Sequence, residues 1–163
     1  MRSFGTAVCL LVLAIPALRA QDSSSVKQDS ASSAKPAVLQ WGPAPAVFPK
    51  GAMMAVVDGD PSQARPFEVQ LSFPNGYKIP PHFHPTDETV EVKQGTFLVG
   101  MGDRLDVKKT AAMKKGDHGT IPADHHHYAV AKGKTVVDVK STGPFAMTYV
   151  NAADDPQGEQ KTP

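Results

Sequence analysis

The chain has 163 residues, with 17 Lys and Arg against 16 Asp and Glu, so its formal net charge is +1. This length suits one domain with a hydrophobic core and terminal tails. The nearly balanced charge gives no argument for binding nucleic acid or a membrane surface. The composition therefore predicts a single domain with neither of those partners.

The first twenty residues have the pattern of a secretory signal peptide. Arg2 precedes the apolar run 7–15, which is too short to span a bilayer, and a small-residue site ends at Ala20. We expect residues 1–20 to be cleaved, which places the mature protein outside the cytoplasm, in the periplasm or secreted, without stable membrane insertion. The alternative is an uncleaved membrane anchor. Cleavage removes Cys9, the single cysteine, and leaves no thiol ligand and no disulfide.

Composition divides the remaining chain into three parts. Residues 21–38 are rich in Ser, Ala, Gln and Asp, which predicts a disordered linker. Residues 39–152 contain the large apolar side chains and form the expected domain. Residues 153–163 are predicted to be a polar C-terminal tail that frays.

Alternating apolar and polar residues predict short strands throughout the domain. The clearest case is residues 67–73, where four large apolar side chains alternate with three polar ones. A strand over residues 88–92 would place Glu88 on the same face as two valines. Further strands are predicted at residues 52–58 (as a buried strand), 96–101, 116–121, 127–131, 135–140 and 145–150.

One segment, residues 103–115, fits either a short helix or a loop. Its four lysines are typical of a solvated surface and do not indicate an anion site. Many short strands without a long helical period predict an all-β sandwich or barrel.

The strongest chemical signal lies in residues 76–95, which read GYKIPPHFHPTDETVEVKQG. His82 and His84 are two residues apart, so in a strand their side chains point to the same face. Glu88 opens the next strand after a three-residue turn. Two imidazoles and a carboxylate from adjacent strands can share one divalent cation. The alternative is a surface His-x-His with an unrelated glutamate, which the glycines at both ends of the segment make less attractive.

In two motifs the sequence resembles the cupin superfamily. Every fixed position of the first, G-x5-H-x-H-x3-E-x6-G, is matched, by Gly76, His82, His84, Glu88 and Gly95. The second, G-x5-P-x-G-x2-H-x3-N, is matched at Gly116, Pro122 and His127. Asp124 replaces its middle glycine, which is tolerable because Asp adopts positive φ more readily than most residues. Ala131 replaces the final Asn. The resemblance covers about residues 40–152.

The resemblance implies a double-stranded β-helix (jelly-roll) barrel with one metal at its mouth. The implied ligands are His82, His84, Glu88 and His127. His126 competes for the last position, but the motif spacing favours His127. The expected cofactor is one divalent transition metal, either Fe, Mn, Zn, Cu or Ni. His118 and His125 are expected at turns or on the surface, or at most next to the ligands.

Three functions are compatible with such a site, because one fold supports many activities. The leading hypothesis is a dioxygenase-like, metal-dependent oxidoreductase that acts on a small oxygen-bearing molecule. The second is a non-catalytic module that binds or senses a metal or small ligand, since no general base or substrate motif is recognisable beyond the ligands. The third is a metal used only for stability. Tyr149 and Gln70 are weak candidates for lining the pocket. A homodimer is a further expectation from the resemblance, because cupins often pair. The outward Phe83 would fit such a dimer and would fit the second layer of the barrel equally well.

Overall fold

A computed structural model describes residues 38–158 of the chain. The predicted signal peptide, residues 1–20, lies outside the described residues, as do residues 21–37 of the predicted linker and the last five residues of the tail. Within residues 38–158, no helix has the length and hydropathy needed to cross a membrane.

Antiparallel β-strands form one curled sheet, which confirms the all-β prediction. The strands are β1 (Gly42–Pro43), β2 (Met53–Asp58), β3 (Pro66–Phe73), β4 (Lys78–Phe83), β5 (Glu88–Met101), β6 (Thr110–Lys114), β7 (His118–Ile121), β8 (His127–Thr142) and β9 (Thr148–Tyr149). Short 3-10 helices occupy Val107–Lys109 and Ala152–Asp154. The strand order is β1-β2-β3-β8-β4-β9, and β5 pairs with β6, β7 and β8.

Two long strands, β5 and β8, take the place of four short strands predicted from the sequence. The breaks between the predicted short strands contain glycines with positive φ, Gly95 at +78° and Gly133 at +76°. Both strands continue through these glycines, and the register between them shifts at this position. The glycines therefore bend two paired strands together, as in a β-bulge, and do not reverse either strand.

Strand β2 is present where the sequence predicts it, but it is not buried. Met53, Val56 and Val57 are 37%, 44% and 40% exposed, whereas Ala55 is buried. The reason is its position near the edge of the sheet, because β1 pairs only with Met53 and Met54 and the rest of β2 has no neighbouring strand on that side among the described residues. The apolar composition of β2 therefore does not mean that the strand is buried within this chain.

Residues 103–115, for which the sequence suggested either a short helix or a loop, form a 3-10 turn followed by a strand. Asp106 accepts a hydrogen bond from the Lys108 backbone N–H and caps one 3-10 turn. The chain then enters β6, which pairs with β5. Alanine and lysine are poor indicators of strand, so this pairing was not visible in the local sequence. Near the C-terminus, the strand predicted at residues 145–150 is reduced to β9.

Large apolar residues fill the interior of the barrel. The inward side chains of β3 are all buried, as the alternation predicts. Phe73 stacks on Tyr77 and Phe97, with ring centroids 5.0 and 5.7 Å apart. This core supports the end of the barrel where β4 stops and where β5 and β8 begin, and we call that end the mouth.

Candidate metal centre

The four predicted ligands all lie at the mouth. His82 is on β4 and is the register partner of His127, the first residue of β8. His84 follows the end of β4, and Glu88 is the first residue of β5. The i and i+2 spacing therefore places both histidines of β4 on the inner face, and both are buried.

Each of the three imidazoles is held by a hydrogen bond at Nδ1. The acceptors are backbone carbonyls: Pro80 for His82 (2.7 Å), Ala146 for His84 (2.8 Å) and His125 for His127 (2.9 Å). Because a carbonyl oxygen can only accept, each Nδ1 carries the proton and donates it. In the neutral ring this leaves the Nε2 lone pair free, which is the tautomer that a metal ligand requires.

The ligand nitrogens of the three histidines converge to within 4.8 Å of one another. Nε2 of His84 and Nε2 of His127 are buried and have no hydrogen-bond partner. A buried polar atom without a partner costs roughly 1–3 kcal/mol, so this arrangement needs an explanation. A cation bound between the rings supplies one, and the donor set therefore fits a divalent transition metal.

Glu88 adjoins two of the three histidines. Its carboxylate oxygens lie 3.7 Å from His84 Nε2 and 3.4 Å from His127 Nε2. Atoms that share one ion at 2.0–2.2 Å are separated by roughly 3–4.4 Å, so both distances suit joint coordination better than a direct hydrogen bond. The structure therefore brings all four predicted residues together.

The surroundings favour the protonation states that metal binding needs. Burial, together with the neighbouring His127 and His84, lowers the pKa of His82 to about 3. Burial by itself would raise the pKa of Glu88, but the contact with His127 and the other imidazoles lowers it overall. Neutral His82 and ionised Glu88 are both competent ligands at neutral pH.

The competing histidine, His126, points away from this cluster. Its ring stacks on Phe83 at 5.0 Å, and its Nδ1 lies 2.6 Å from a carboxylate oxygen of Asp103. Phe83 therefore has a stacking partner within its own chain, and its outward position does not by itself indicate a dimer. His118 and His125 are exposed and do not reach the mouth.

Neither of the two weak lining candidates borders the cavity beside the histidines. The Tyr149 hydroxyl donates to the Val47 carbonyl at 2.7 Å, and its ring centroid is 6.1 Å from that of His82. Gln70 lies on the outer face of the sheet. The sequence did not reveal Ala146, because a backbone carbonyl 62 residues from His84 leaves no trace in residue identity.

A small cavity lies against the ligands. Its free interior is about 20 Å³, and apart from the three histidines and Glu88 its lining is apolar. Phe48, Ile121 and Met147 are among these lining residues. The arrangement can thus hold a metal in a dry environment with very little free space beside it.

The described residues have a double-stranded β-helix fold, which confirms the fold that the resemblance to the cupin superfamily implies. No protein-family model matches the chain, and no curated protein matches it. In contrast, 381 chains of solved structures match it, so the fold by itself does not select an activity.

Among the similar structures is the polyketide cyclase RemF from Streptomyces resistomycificus. It is 19% identical and has a TM-score of 0.55, and the match covers 70% of this chain and 81% of RemF. KdgF from Halomonas sp. is 26% identical with a TM-score of 0.47, over 57% of this chain and 80% of KdgF. A cupin superfamily protein from Desulfitobacterium hafniense DCB-2 is 16% identical with a TM-score of 0.47, over 57% and 77% of the two chains.

Proposed function

We propose that the chain binds one divalent transition metal through His82, His84, Glu88 and His127, and that it is a metal-dependent oxidoreductase acting on a small molecule. The observation that carries this proposal is the pair of buried Nε2 atoms without partners, in rings whose Nδ1 protons are already engaged. A bound metal would supply Lewis-acid or redox chemistry at this position.

The protein's own groups hold and orient the site. Backbone carbonyls fix the three imidazole rings, which makes the site rigid before any ion binds. Glu88 contributes the single negative charge, which offsets part of the charge of a divalent ion. The apolar lining lowers the polarity around the site and so strengthens electrostatic interactions inside the cavity.

A second candidate function is a non-catalytic module that binds or senses a metal or a small ligand. The lining of the cavity favours it, because none of the described lining residues other than the four ligands carries a polar side chain. Among residues 38–158, no general acid or base therefore borders the cavity besides the ligands themselves. A metal that only stabilises the fold is the third candidate. It explains the unpaired Nε2 atoms of His84 and His127 equally well, but it assigns no role to the cavity.

The sequence supports two further parts of the proposal. The pattern of residues 1–20 supports export, so we place the mature protein in the periplasm or the extracellular medium. The absence of a basic excess supports a small-molecule ligand over a nucleic acid.

Elemental analysis of the purified chain, made without a metal-binding affinity tag, tests the proposal. We expect about one equivalent of metal in the wild type and a loss of most of it in His82→Ala and in His127→Ala. His118→Ala is the matched control, because this exposed histidine lies away from the mouth, and it should retain the metal.

Different metals separate the candidate functions. Iron, manganese or copper would support the oxidoreductase and justify a substrate screen. Zinc would support the sensing or binding module. A wild type that takes up no metal after reconstitution would overturn the oxidoreductase and the stabilising metal, and would leave only a barrel that binds a small ligand.

A further inference from the structure

Residues 143–147, which we call the cover segment, pass over the metal centre. The Ala146 carbonyl accepts the hydrogen bond from His84 Nδ1 at 2.8 Å. The ring centroid of Phe145 is 5.5 Å from that of His84. Met147 lines the cavity beside the ligands. One short segment thus both orients a ligand and bounds the space next to it.

Backbone hydrogen bonds fix the cover segment to the loop that precedes β3. The Phe145 N–H donates to the Pro61 carbonyl at 2.7 Å, and the Gly143 N–H donates to the Arg65 carbonyl at 3.0 Å. A side chain at Gly143 would not fit, because its Cβ would lie 2.3 Å from the Gln63 carbonyl oxygen. The segment is therefore seated closely on this loop.

Aromatic packing adds a second attachment. Phe145 stacks on Phe48, with centroids 5.9 Å apart, and meets Phe67 edge-on at 6.3 Å. Such aromatic pairs contribute roughly 0.5–1.5 kcal/mol each beyond the area they bury. Movement of the cover segment away from the mouth would break both contacts and the bond to His84.

The space enclosed at the mouth is close to the size of a few water molecules. The cavity bounded by Met147 has a free interior of about 20 Å³. A second cavity of about 30 Å³ lies against Glu88 and is bounded by Phe145, and Phe48 lines both. One water needs roughly 10–15 Å³ on this measure, so each cavity admits about one to three waters or a diatomic molecule.

The lining also discriminates by polarity. Apart from the four ligands, the first cavity is lined by carbon and thioether groups, and the second cavity is lined by apolar residues and Glu88. An organic acid or alcohol in this space would leave some polar atoms without partners, at a cost of roughly 1–3 kcal/mol each. A small apolar molecule has no such penalty.

We propose that Met147 and Phe145 set the upper size limit for what reaches the three-histidine site, and that the limit admits uncharged molecules of about two non-hydrogen atoms. This proposal rests on metal binding at the site and narrows the substrate class of the proposed oxidoreductase. Met147 restricts the cavity against the histidines, and Phe145 restricts the one against Glu88. Larger ligands such as imidazole and oxalate are excluded from the metal while the cover segment keeps its position.

The test uses the chain loaded anaerobically with Fe(II), with metal content measured on each sample. Nitric oxide serves as the small uncharged probe, and its binding is followed by electron paramagnetic resonance. Imidazole and oxalate serve as the larger probes, and each is titrated as a competitor of nitric oxide. We expect the wild type to bind nitric oxide and neither larger probe, whereas Met147→Ala and Phe145→Ala bind imidazole at least tenfold more tightly than the wild type does.

Met113→Ala is the matched control, because Met113 packs against the core but does not line either cavity. It should exclude imidazole as the wild type does. Equal imidazole or oxalate binding by the wild type and Met147→Ala, at full metal content, would overturn the size limit and leave the metal site intact. A wild type without metal would overturn the proposed function, and the size limit would fall with it.

Discussion

At the scale of single residues, the metal centre depends on how each imidazole is oriented. The carbonyl acceptors at Nδ1 fix the tautomer, so the Nε2 atoms face one another instead of facing solvent. Burial is the main reason for the low pKa of His82, and the neighbouring His127 and His84 lower it further. This low pKa has a consequence for the stability of the metal-free protein.

We predict that the free energy of unfolding of the metal-free protein falls as the pH drops from about 6.5 towards 3. The folded state lowers the pKa of His82 from 6.5 to about 3, whereas the unfolded chain keeps the ordinary value. The unfolded state therefore binds more protons in this window and gains stability. The contribution of His82 is about 1.4 kcal/mol per pH unit, or roughly 2 kcal/mol between pH 6.5 and pH 5.

Denaturant unfolding of the metal-free protein at several pH values measures this slope. In His82→Gln the slope of unfolding free energy against pH should be smaller by the contribution of one proton, because glutamine does not titrate. His118→Gln removes an exposed histidine and should leave the slope unchanged. An identical slope in the wild type and His82→Gln would show that His82 is not responsible.

At the scale of single elements, two glycines of the first motif have the same backbone conformation but different surroundings. Gly76 and Gly95 both have φ of +78°. Around Gly76 there is open space, with no atom within 4 Å of an added Cβ. At Gly95 an added Cβ would lie 2.4 Å from the Lys134 carbonyl oxygen and 2.7 Å from Thr135 Oγ1.

We predict that Gly95→Ala destabilises the protein by about 3 kcal/mol or more, and that Gly76→Ala costs only about 1–2 kcal/mol. The smaller value is the cost of a left-handed conformation in a residue with a Cβ. The larger value adds a collision with the backbone of β8, where β5 and β8 bend together. Thermal or denaturant unfolding of the two variants measures the difference, and equal losses would contradict it.

The same comparison shows how far the sequence predicted the elements. Alternation located β3 and the start of β5 correctly, since the facing of a side chain depends on local geometry alone. It did not distinguish a bend from a turn at Gly95 and Gly133, because a glycine with positive φ serves both purposes. The pairing of the neighbouring strand decides between them.

At the scale of the whole molecule, one outer surface retains apolar residues without cover in this chain. Trp41 and Met53 are 41% and 37% exposed, and they line an open groove together with Val136 and Lys93. An exposed apolar patch of this kind is typical of an interaction surface. The homodimer expected from the family stays a prediction, and this groove is where we place its interface.

We predict that the wild type is a dimer in solution and that Met53→Asp is a monomer, because burying the new carboxylate in the interface carries a desolvation penalty. Light scattering coupled to size-exclusion chromatography measures the mass of both. Val107→Asp is the control, since Val107 is 50% exposed but lies on the 3-10 turn away from the groove. A monomeric wild type would contradict the prediction.

The sequence by itself determined the all-β class and the inner faces of β3 and of the start of β5, since alternation along a strand fixes which side chains share a face. The resemblance to the two cupin motifs, and not spacing alone, selected His82, His84, Glu88 and His127. Asp124, with φ of 60°, adopts the positive φ that its motif position requires. Only the tertiary structure decided the exposure of β2, the orientation of His84 by Ala146 and the small size of the cavities. Each of these depends on contacts between residues distant in sequence, some of them through backbone atoms, and such contacts form only when the sheet has curled on itself.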